Sequence, residues 1–323
     1  MIISKTPLRI SLCGGGTDFF NFYKHHKGKV ISCAINQYVY VIIKKRFEKK
    51  IVINYSKHET VENVEDIKHD LIRECLKYYN IKDSVEITTL GDIPAEGTGL
   101  GSSSAITVGL LNAMSVYVGQ PETQRSLAEI ACHIELNVLK NPIGKQDQYI
   151  TSFGGINLLS FNKNETVDVE TYKSFPELYD IVNNNLLLHY TDITRKSSSI
   201  LKEQTNNILT KMESLLEINK LTDRLNKNIK KNNDIIGKTL KDSWEIKKSL
   251  ANGISNKTID EMITLAENNG SVGSKISGAG GGGFLLSYVP IEKQKRYREE
   301  MKQYQELLFN VDIHGSRIIF NIL

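Results

Sequence analysis

The chain has 323 residues, 40% of them apolar and 24% charged, a composition typical of a folded protein with one large or two ordinary domains. The formal net charge of +4 is spread along the chain without a long basic run, which argues against nucleic acid as a partner. The segment after Met1 lacks a signal-type apolar stretch, and no apolar run is long enough to cross a membrane. The four cysteines show neither zinc nor disulfide spacing. We therefore expect a cytoplasmic protein with reduced thiols and no membrane partner.

The first half of the chain is predicted to mix strands and helices. Residues 30–35, 38–43, 51–53 and 85–89 are rich in β-branched and aromatic residues and are predicted strands. Apolar periodicity predicts helices over residues 66–79, 103–117 and 127–139.

After residue 193, apolar residues return every three or four positions. This pattern predicts helices over residues 200–218 and 234–250. Strands are predicted at 274–277 and 284–289, with a last one at 318–322. We therefore expect an α+β fold with two domains, residues 1–190 and residues 191–323.

A glycine-rich segment separates the strand at 85–89 from the helix that begins at 103. Its glycines allow close approach of a ligand to backbone N–H groups, and the following helix N-terminus attracts anions. The hydroxyls that follow can bond phosphate or ligate magnesium, although a tight turn capped by serines is the alternative. No Gly-Lys-Ser/Thr follows, so this is not a Walker A loop. The candidate phosphate-binding residues are Gly97, Thr98, Gly99, Leu100, Gly101, Ser102, Ser103 and Ser104.

Two further glycine clusters lie near the start of the chain, at residues 14–16, and in its second half, at residues 273–283. Six glycines lie among residues 273–283, a density that a purely structural hairpin seldom carries, and this favours a loop packed against phosphate or substrate. Near the start, three consecutive glycines precede Asp18, whose carboxylate can bond sugar hydroxyls. Taken alone, that segment could be an ordinary turn closed by an aspartate.

In order and spacing, the three segments resemble the three signature motifs of the GHMP kinases, the family of galactokinase, homoserine kinase and mevalonate kinase. The resemblance runs from residue 7 to residue 284. It implies a ribosomal-protein-S5-domain-2-like N-terminal domain, a ferredoxin-like α/β sandwich as C-terminal domain, and ATP and Mg²⁺ as cofactors. The implied ATP site comprises residues 97–104 with Gly280 and Gly281. The implied substrate residues of the first and third motifs are Arg9, Gly15, Gly16, Thr17, Asp18 and Gly278.

The same resemblance implies roles in phosphoryl transfer. Asp147 would take the proton of the substrate hydroxyl, and Lys145 beside it is the second predicted catalytic residue. Ser103 and Glu135 would share magnesium; a shift of the alignment would instead select Ser102 or Glu129. These roles suit a reaction that requires charge neutralisation, an oriented hydroxyl and a carboxylate within reach of its proton.

Residues 9–18 and 144–149 look most like those of the heptose 7-phosphate kinases. This implies phosphorylation of the anomeric C1 hydroxyl of D-glycero-D-manno-heptose 7-phosphate, for GDP-heptose synthesis towards capsule or lipopolysaccharide. The substrate's own phosphate would bind Thr194, Arg195 and Ser197, unless that segment is only a helix cap with solvated charges. A fucokinase-like sugar-1-kinase, an ATP and sugar sensor without transfer, and an ATP-dependent decarboxylase are the alternatives. A homodimer is compatible with the sequence.

Overall fold

The computed structural model of the chain describes residues 1–94, 97–194, 197–231 and 234–322, with only the backbone of Ser197 and Ser198. The strands are β1 (Ile2–Cys13), β2 (Gly28–Lys45), β3 (Ile51–Asn54), β4 (His58–Val61), β5 (Val85–Gly91), β6 (Ile156–Phe161), β7 (Val167–Thr171), β8 (Leu186–Tyr190), β9 (Gly273–Ile276), β10 (Phe284–Tyr288), β11 (Glu306–Leu307) and β12 (Arg317–Asn321). The helices are α1 (Phe20–Tyr23), α2 (Asp70–Tyr78), α3 (Ser102–Tyr117), α4 (Gln124–Cys132), α5 (Gln146–Phe153), α6 (Pro176–Asn185), α7 (Ser197–Asn207), α8 (Met212–Asn228), α9 (Ile235–Lys247), α10 (Lys257–Asn268) and α11 (Gln294–Met301). A π-helical turn, His133–Val138, continues α4.

The first sheet is built around the long strand β2. This strand pairs with β1 along most of its length, with β6 through its first half and with β5 through its second half. The path runs β12-β1-β2-β5-β3-β4, and β7 joins through β6. Helix α3 packs on β1 and β2 and is buried around most of its circumference, because it is apolar on nearly every side. The N-terminus of α3 is therefore held firmly against this sheet.

The second sheet is antiparallel, in the order β11-β8-β10-β9. Helix α9 packs on β9, and helices α8 and α9 also contact β1 of the first sheet. The second domain thereby reaches across to the strand that carries the first glycine cluster. The predicted α+β fold with two domains is confirmed.

Three predictions differ from the structure in more than their end residues. The predicted strands at 30–35 and 38–43 form one strand, β2, because an irregularity opposite Pro7 and Leu8 absorbs the two polar residues between them. The helix predicted over 200–218 divides into α7 and α8. A division after residue 190 does not follow the sheets, since β8 belongs to the second sheet and β12 returns to pair with β1 of the first. Strand partners depend on contacts distant in sequence, which local patterns do not report. Within the described ranges, no helix is long and apolar enough to cross a membrane.

Candidate active site

A cavity of about 360 Å³ lies between the N-terminus of α3 and the second domain. Its wall contains residues from all three glycine-rich segments and from helices α5, α7, α8 and α9. Segments more than one hundred and fifty residues apart in sequence therefore meet around one space. The charged side chains that line it are Arg9, Asp18, Glu135, Asp147, Lys247 and Lys275.

The loop before α3 has the geometry expected of a phosphate-binding loop. Gly97, Gly99 and Gly101 have φ angles of +75°, +72° and +78°, a region that residues with a side chain enter only with strain. Gly101 is the N-cap residue of α3 and has no side chain to occupy the first N–H groups of the helix. These N–H groups and the helix dipole are thus available to an anion in the cavity.

The glycines of the third segment pack directly on this loop. A Cβ atom added to Gly278 would lie 2.6 Å from Cα of Gly99, and one added to Gly99 would overlap the carbonyl oxygen of Ser277. Gly278 also lines the cavity. Gly280 and Gly281, predicted to bind the nucleotide, instead pack against Ile254, so that N–H of Gly281 donates to its carbonyl oxygen at 2.7 Å.

Replacing Gly99 by Ala tests this contact between backbones. We expect the free energy of unfolding to fall by about 2–4 kcal/mol, because the methyl group adds both φ strain and overlap with Ser277. Nucleotide affinity should fall as well. Denaturant unfolding and nucleotide titration measure the two effects.

Gly119→Ala is the matched control, since Gly119 has a φ of +76° and no neighbouring atom within 4 Å of an added Cβ. It should lose only about 1–2 kcal/mol, the cost of the backbone conformation alone. Equal losses in Gly99→Ala and Gly119→Ala would show that the contact between the two segments contributes nothing.

Arg9 holds the predicted base, Asp147, through a two-pronged ion pair. Arg9 Nε donates to Asp147 Oδ1 and Nη2 donates to Oδ2, both at 2.7 Å, while Nη1 donates to the carbonyl oxygen of Gly99 at 2.6 Å. The arginine side chain is 6% exposed and the aspartate 21%. One guanidinium thus fixes the carboxylate of α5 relative to the phosphate loop.

Asp18 lies beside this pair and is buried. Its carboxylate accepts hydrogen bonds from N–H of Gly16 at 2.9 Å and from the backbone and side-chain nitrogens of Gln146 at 3.2 and 3.1 Å. Burial, and then the nearby charge of Asp147, raise the pKa of Asp18. Gly144 passes so close that any Cβ there would overlap the carboxylate of Asp18.

Glu135 lies in the π-helical turn that follows α4 and is fully buried. Its oxygens accept hydrogen bonds from Ser104 Oγ at 3.2 Å and from Gln148 Nε2 at 3.1 Å. Burial raises the pKa of Glu135 to about 7, and the charge of Asp147 adds to the rise. The predicted metal residue Ser103 has an exposed side chain on the same cavity, so Ser104, rather than Ser103, contacts the carboxylate directly.

Lys145 does not reach the cavity that contains Asp147. Its ammonium donates to the carbonyl oxygen of Glu165 at 3.1 Å and lies 5.0 Å from the ring centre of Tyr23. It lines a neighbouring pocket that shares Asp18 with the main cavity. Proximity in sequence misleads here, because residues two positions apart at the start of a helix point in different directions.

Five other predicted residues lie away from the cavity wall or outside the described side chains. Leu100 is fully buried in the core, and Thr17 is turned inward to donate to the carbonyl oxygens of Gly14 and Lys29. Thr194 is exposed and is not part of the lining. Arg195 and the side chain of Ser197 lie outside the residues that the structure describes.

Sequence reasoning assigned no role to several polar residues of the second domain that line the cavity. Lys247 and Ser243 project from α9, Gln204 from α7 and Lys275 from β9. Lys275 could have been noticed, because a lysine in a strand beside a glycine cluster is unusual. Nothing distinguishes Lys247 from the many exposed lysines on the helices around it.

Two family models match the chain, and they include the second and third glycine-rich segments. The N-terminal domain of the GHMP kinases matches residues 67–155, and the C-terminal domain matches residues 225–307. Together they span more than half of the chain. The chain belongs to the GHMP kinases. It is therefore an ATP-dependent phosphotransferase that acts on an alcohol group, as the motifs predicted.

Full-length relatives of this GHMP kinase act on different substrates. It is 29% identical to D-glycero-alpha-D-manno-heptose 7-phosphate kinase of Campylobacter jejuni, over 95% of this chain and 96% of the relative. It is 27% identical to mevalonate kinase of Methanocaldococcus jannaschii, over 96% and 98%. The solved structure of a D-glycero-D-manno-heptose 1-phosphate kinase from Bacteroides thetaiotaomicron has a TM-score of 0.82 and 24% identity with complete coverage of both chains. That likeness establishes the fold.

Proposed function

We propose that this kinase transfers the γ-phosphoryl group of ATP to the anomeric C1 hydroxyl of D-glycero-D-manno-heptose 7-phosphate, giving the 1,7-bisphosphate. The observation that carries the proposal is the placement of Asp147, which Arg9 ties to Gly99 of the phosphate loop. A carboxylate so fixed can meet an acceptor hydroxyl in line with a phosphate bound at α3. The Campylobacter jejuni relative supports the choice of sugar.

The chain supplies orientation and a proton acceptor for this transfer. The C1 hydroxyl oxygen forms a bond to the γ-phosphorus while the bond from that phosphorus to the ADP oxygen breaks. Asp147 accepts the hydroxyl proton, and ADP leaves with the electron pair of the broken bond. Arg9 keeps both carboxylate oxygens in one orientation throughout. A sensor that never transfers phosphate would have no use for this arrangement.

The sugar is proposed to lie against the first glycine segment. Asp18 and the N–H groups beside Gly15 and Gly16 line the cavity next to Asp147, and a buried carboxylate there suits sugar hydroxyls. The substrate's own phosphate is proposed to bind Thr194, Arg195 and Ser197. In support, that segment leads into α7, whose Leu201 and Gln204 line the same cavity.

The donors around Glu135 fit a magnesium ion. Among the described residues, the hydrogen-bond partners of its buried carboxylate are neutral, Ser104 and Gln148 among them, and Ser103 lies on the same wall of the cavity. Carboxylate, hydroxyl and phosphate oxygens are the ligands that Mg²⁺ prefers. We therefore propose that Glu135 and Ser103 hold Mg²⁺, which when bound would neutralise charge on the nucleotide phosphates.

A substrate panel tests the proposal. ADP release is measured with ATP, Mg²⁺ and D-glycero-D-manno-heptose 7-phosphate, mannose 6-phosphate, sedoheptulose 7-phosphate, fucose or galactose. We expect kcat/KM for the heptose phosphate to exceed that for each free sugar by at least about 10²-fold. The protein groups that bind the substrate phosphate would remain unpaired when a free sugar is bound. NMR of the product should show the new phosphate at C1.

The sugar alternatives each have their own outcome in this panel. Turnover with fucose or galactose alone would replace the heptose assignment by a fucokinase-like one, and binding of ATP and sugar without ADP release would indicate a sensor. A decarboxylase would be identified in a separate assay, by carbon dioxide release from a substrate that carries a carboxylate and a diphosphate. Phosphate at any position other than C1 would contradict the proposed site of transfer.

A further inference from the structure

Two lysines of the second domain lie on the wall that faces the phosphate loop. Lys247 is near the end of α9, and Lys275 is in β9, immediately before the third glycine segment. Both line the cavity, and Lys275 is only 6% exposed. Neither position belongs to the nucleotide, sugar or metal sites described above.

Neither lysine forms an ion pair within the described part of the chain. The ammonium of Lys247 donates to the carbonyl oxygen of Gly278, and that of Lys275 donates to the carbonyl oxygen of Leu12 at 3.3 Å. An ammonium has three N–H donors, so each lysine keeps donors that no other described residue occupies. Burial lowers the pKa of Lys247 to about 7 and that of Lys275 to about 8. The positive charges of Lys275 and Arg9 lower the pKa of Lys247 further, while the charge of Asp18 acts in the opposite direction.

The other charges of the cavity do not balance these two. Arg9 and Asp147 neutralise each other. Asp18 and Glu135 are hydrogen-bonded by neutral groups and lie on the first-domain side. Unpaired buried cations are costly, so two of them at one cavity indicate a ligand that brings negative charge.

The position of Lys247 shows which ligand atoms are within reach. Its acceptor, Gly278, touches Gly99 of the phosphate loop. The ammonium of Lys247 is therefore separated from the phosphate loop only by the backbone of Gly278. Lys275 lies closer to the first glycine segment through its bond to Leu12.

We propose that Lys247 and Lys275 form a phosphoryl-binding subsite that closes the cavity from the second-domain side. The inference rests on the proposed function in so far as two phosphoryl groups are brought into this cavity: the group being transferred and the substrate's own phosphate. Either is a dianion that the two free ammonium groups can bond and partly neutralise. Contact with the transferred group would make these residues part of the catalytic machinery, whereas contact with the sugar phosphate would make them specificity determinants.

The purely structural alternative is that the lysines only tie the second domain to the carbonyl oxygens of Gly278 and Leu12. The two hypotheses predict different effects of a substitution on the melting temperature. If the lysines serve a ligand, Lys247→Met removes an unpaired, half-buried charge and should leave the melting temperature unchanged or higher, with loss of binding. If they serve only as ties, the same change should lower the melting temperature and leave binding intact.

Calorimetric titration of the full chain with defined probes tests the subsite. The variants are Lys247→Gln, Lys247→Met and Lys275→Gln, with Lys247→Arg as the conservative change. Lys248→Gln is the matched control, because Lys248 is the next residue and pairs with Glu245 at 2.8 Å on the surface. The probes are the non-hydrolysable ATP analogue AMPPNP, ADP, mannose 6-phosphate and mannose.

Two results support the subsite and identify its ligand. Loss of AMPPNP affinity by about 10- to 100-fold, with ADP affinity unchanged, would assign it to the transferred phosphoryl group. A similar loss for mannose 6-phosphate but not for mannose would assign it to the substrate phosphate. Lys247→Arg should recover part of the lost affinity, since the charge is kept.

Folded variants that bind AMPPNP and mannose 6-phosphate as tightly as the wild type and Lys248→Gln would overturn the proposal. The AMPPNP and ADP measurements use no sugar, so their outcome is independent of the heptose assignment. If another sugar proves to be the substrate, the subsite can still stand on those two probes.

Discussion

Replacing Asp147 by Asn is expected to lower kcat by about 10²–10⁴-fold and to change ATP affinity by less than about threefold. The amide keeps the shape of the carboxylate but cannot accept the hydroxyl proton. ATP affinity should persist because Asp147 is not among the groups proposed to bind the nucleotide, which are the phosphate loop and the N-terminus of α3. Steady-state ADP release and nucleotide titration on the same preparation measure both quantities.

This substitution also leaves Arg9 without a charged partner, so part of any loss could come from the fold. Asp168→Asn is the matched control, because it removes a carboxylate that pairs with Lys27 at 3.2 Å on the exposed surface. Thermal unfolding of both variants allows kcat to be expressed per folded molecule. Turnover of folded Asp147→Asn within about tenfold of the wild type would exclude Asp147 as the proton acceptor.

Replacing Glu135 by Gln is expected to have the second largest effect. We expect kcat/KM to fall by about 10²–10³-fold. Loss of a metal ligand weakens the binding of Mg²⁺, and with it the stabilisation of negative charge in the transition state. The Mg²⁺ concentration needed for half-maximal activity should rise. A second readout is independent of turnover: the added thermal stabilisation that Mg²⁺ gives to the ADP complex should disappear.

Glu129→Gln is the control for this second change. Glu129 lies on the preceding helix, has a side chain 56% exposed and pairs loosely with Arg125 at 3.9 Å. The variant should behave like the wild type. Removing the buried charge of Glu135 should not lower the melting temperature, since its carboxylate has no cationic partner among the described residues. If Glu129→Gln proved to be the defective variant, Glu129 rather than Glu135 would be assigned as the metal ligand.

Local sequence patterns predicted the elements of the first sheet better than their connections. The apolar segment before Tyr117 was expected to be a helix and is one, because a run of this kind with a glycine-rich start has few other solutions. The same patterns could not show that residues 28–45 form one strand, since at the irregularity Asn36 exchanges hydrogen bonds with Asn310, which is distant in sequence. Helix α7 ends where Ile208 is buried and Leu209 is 65% exposed, a break set by packing.

The candidate site was predictable to the extent that its groups lie in glycine motifs. Asp18 and Asp147 were selected from motif context, and the structure brings them to one cavity with Arg9. Lys145 was selected for its place next to Asp147 and points elsewhere. Lys247 was missed, because its importance arises only when α9 packs against a loop thirty residues later. Burial and the lack of a counter-charge are properties of the folded chain.

Strand β12 has a consequence for how the chain is made. Residues 317–321 pair with residues 2–5, and N–H of Ile322 donates to the carbonyl oxygen of Met1 at 2.9 Å. During synthesis on the ribosome, β1 therefore cannot pair with its edge strand β12 until the second domain has emerged. Until then β1 presents an unpaired edge to the surrounding solution, where other chains can add to it. Nascent chains of this kinase thus keep an edge open to aggregation until residues 317–321 have been made and have paired with β1.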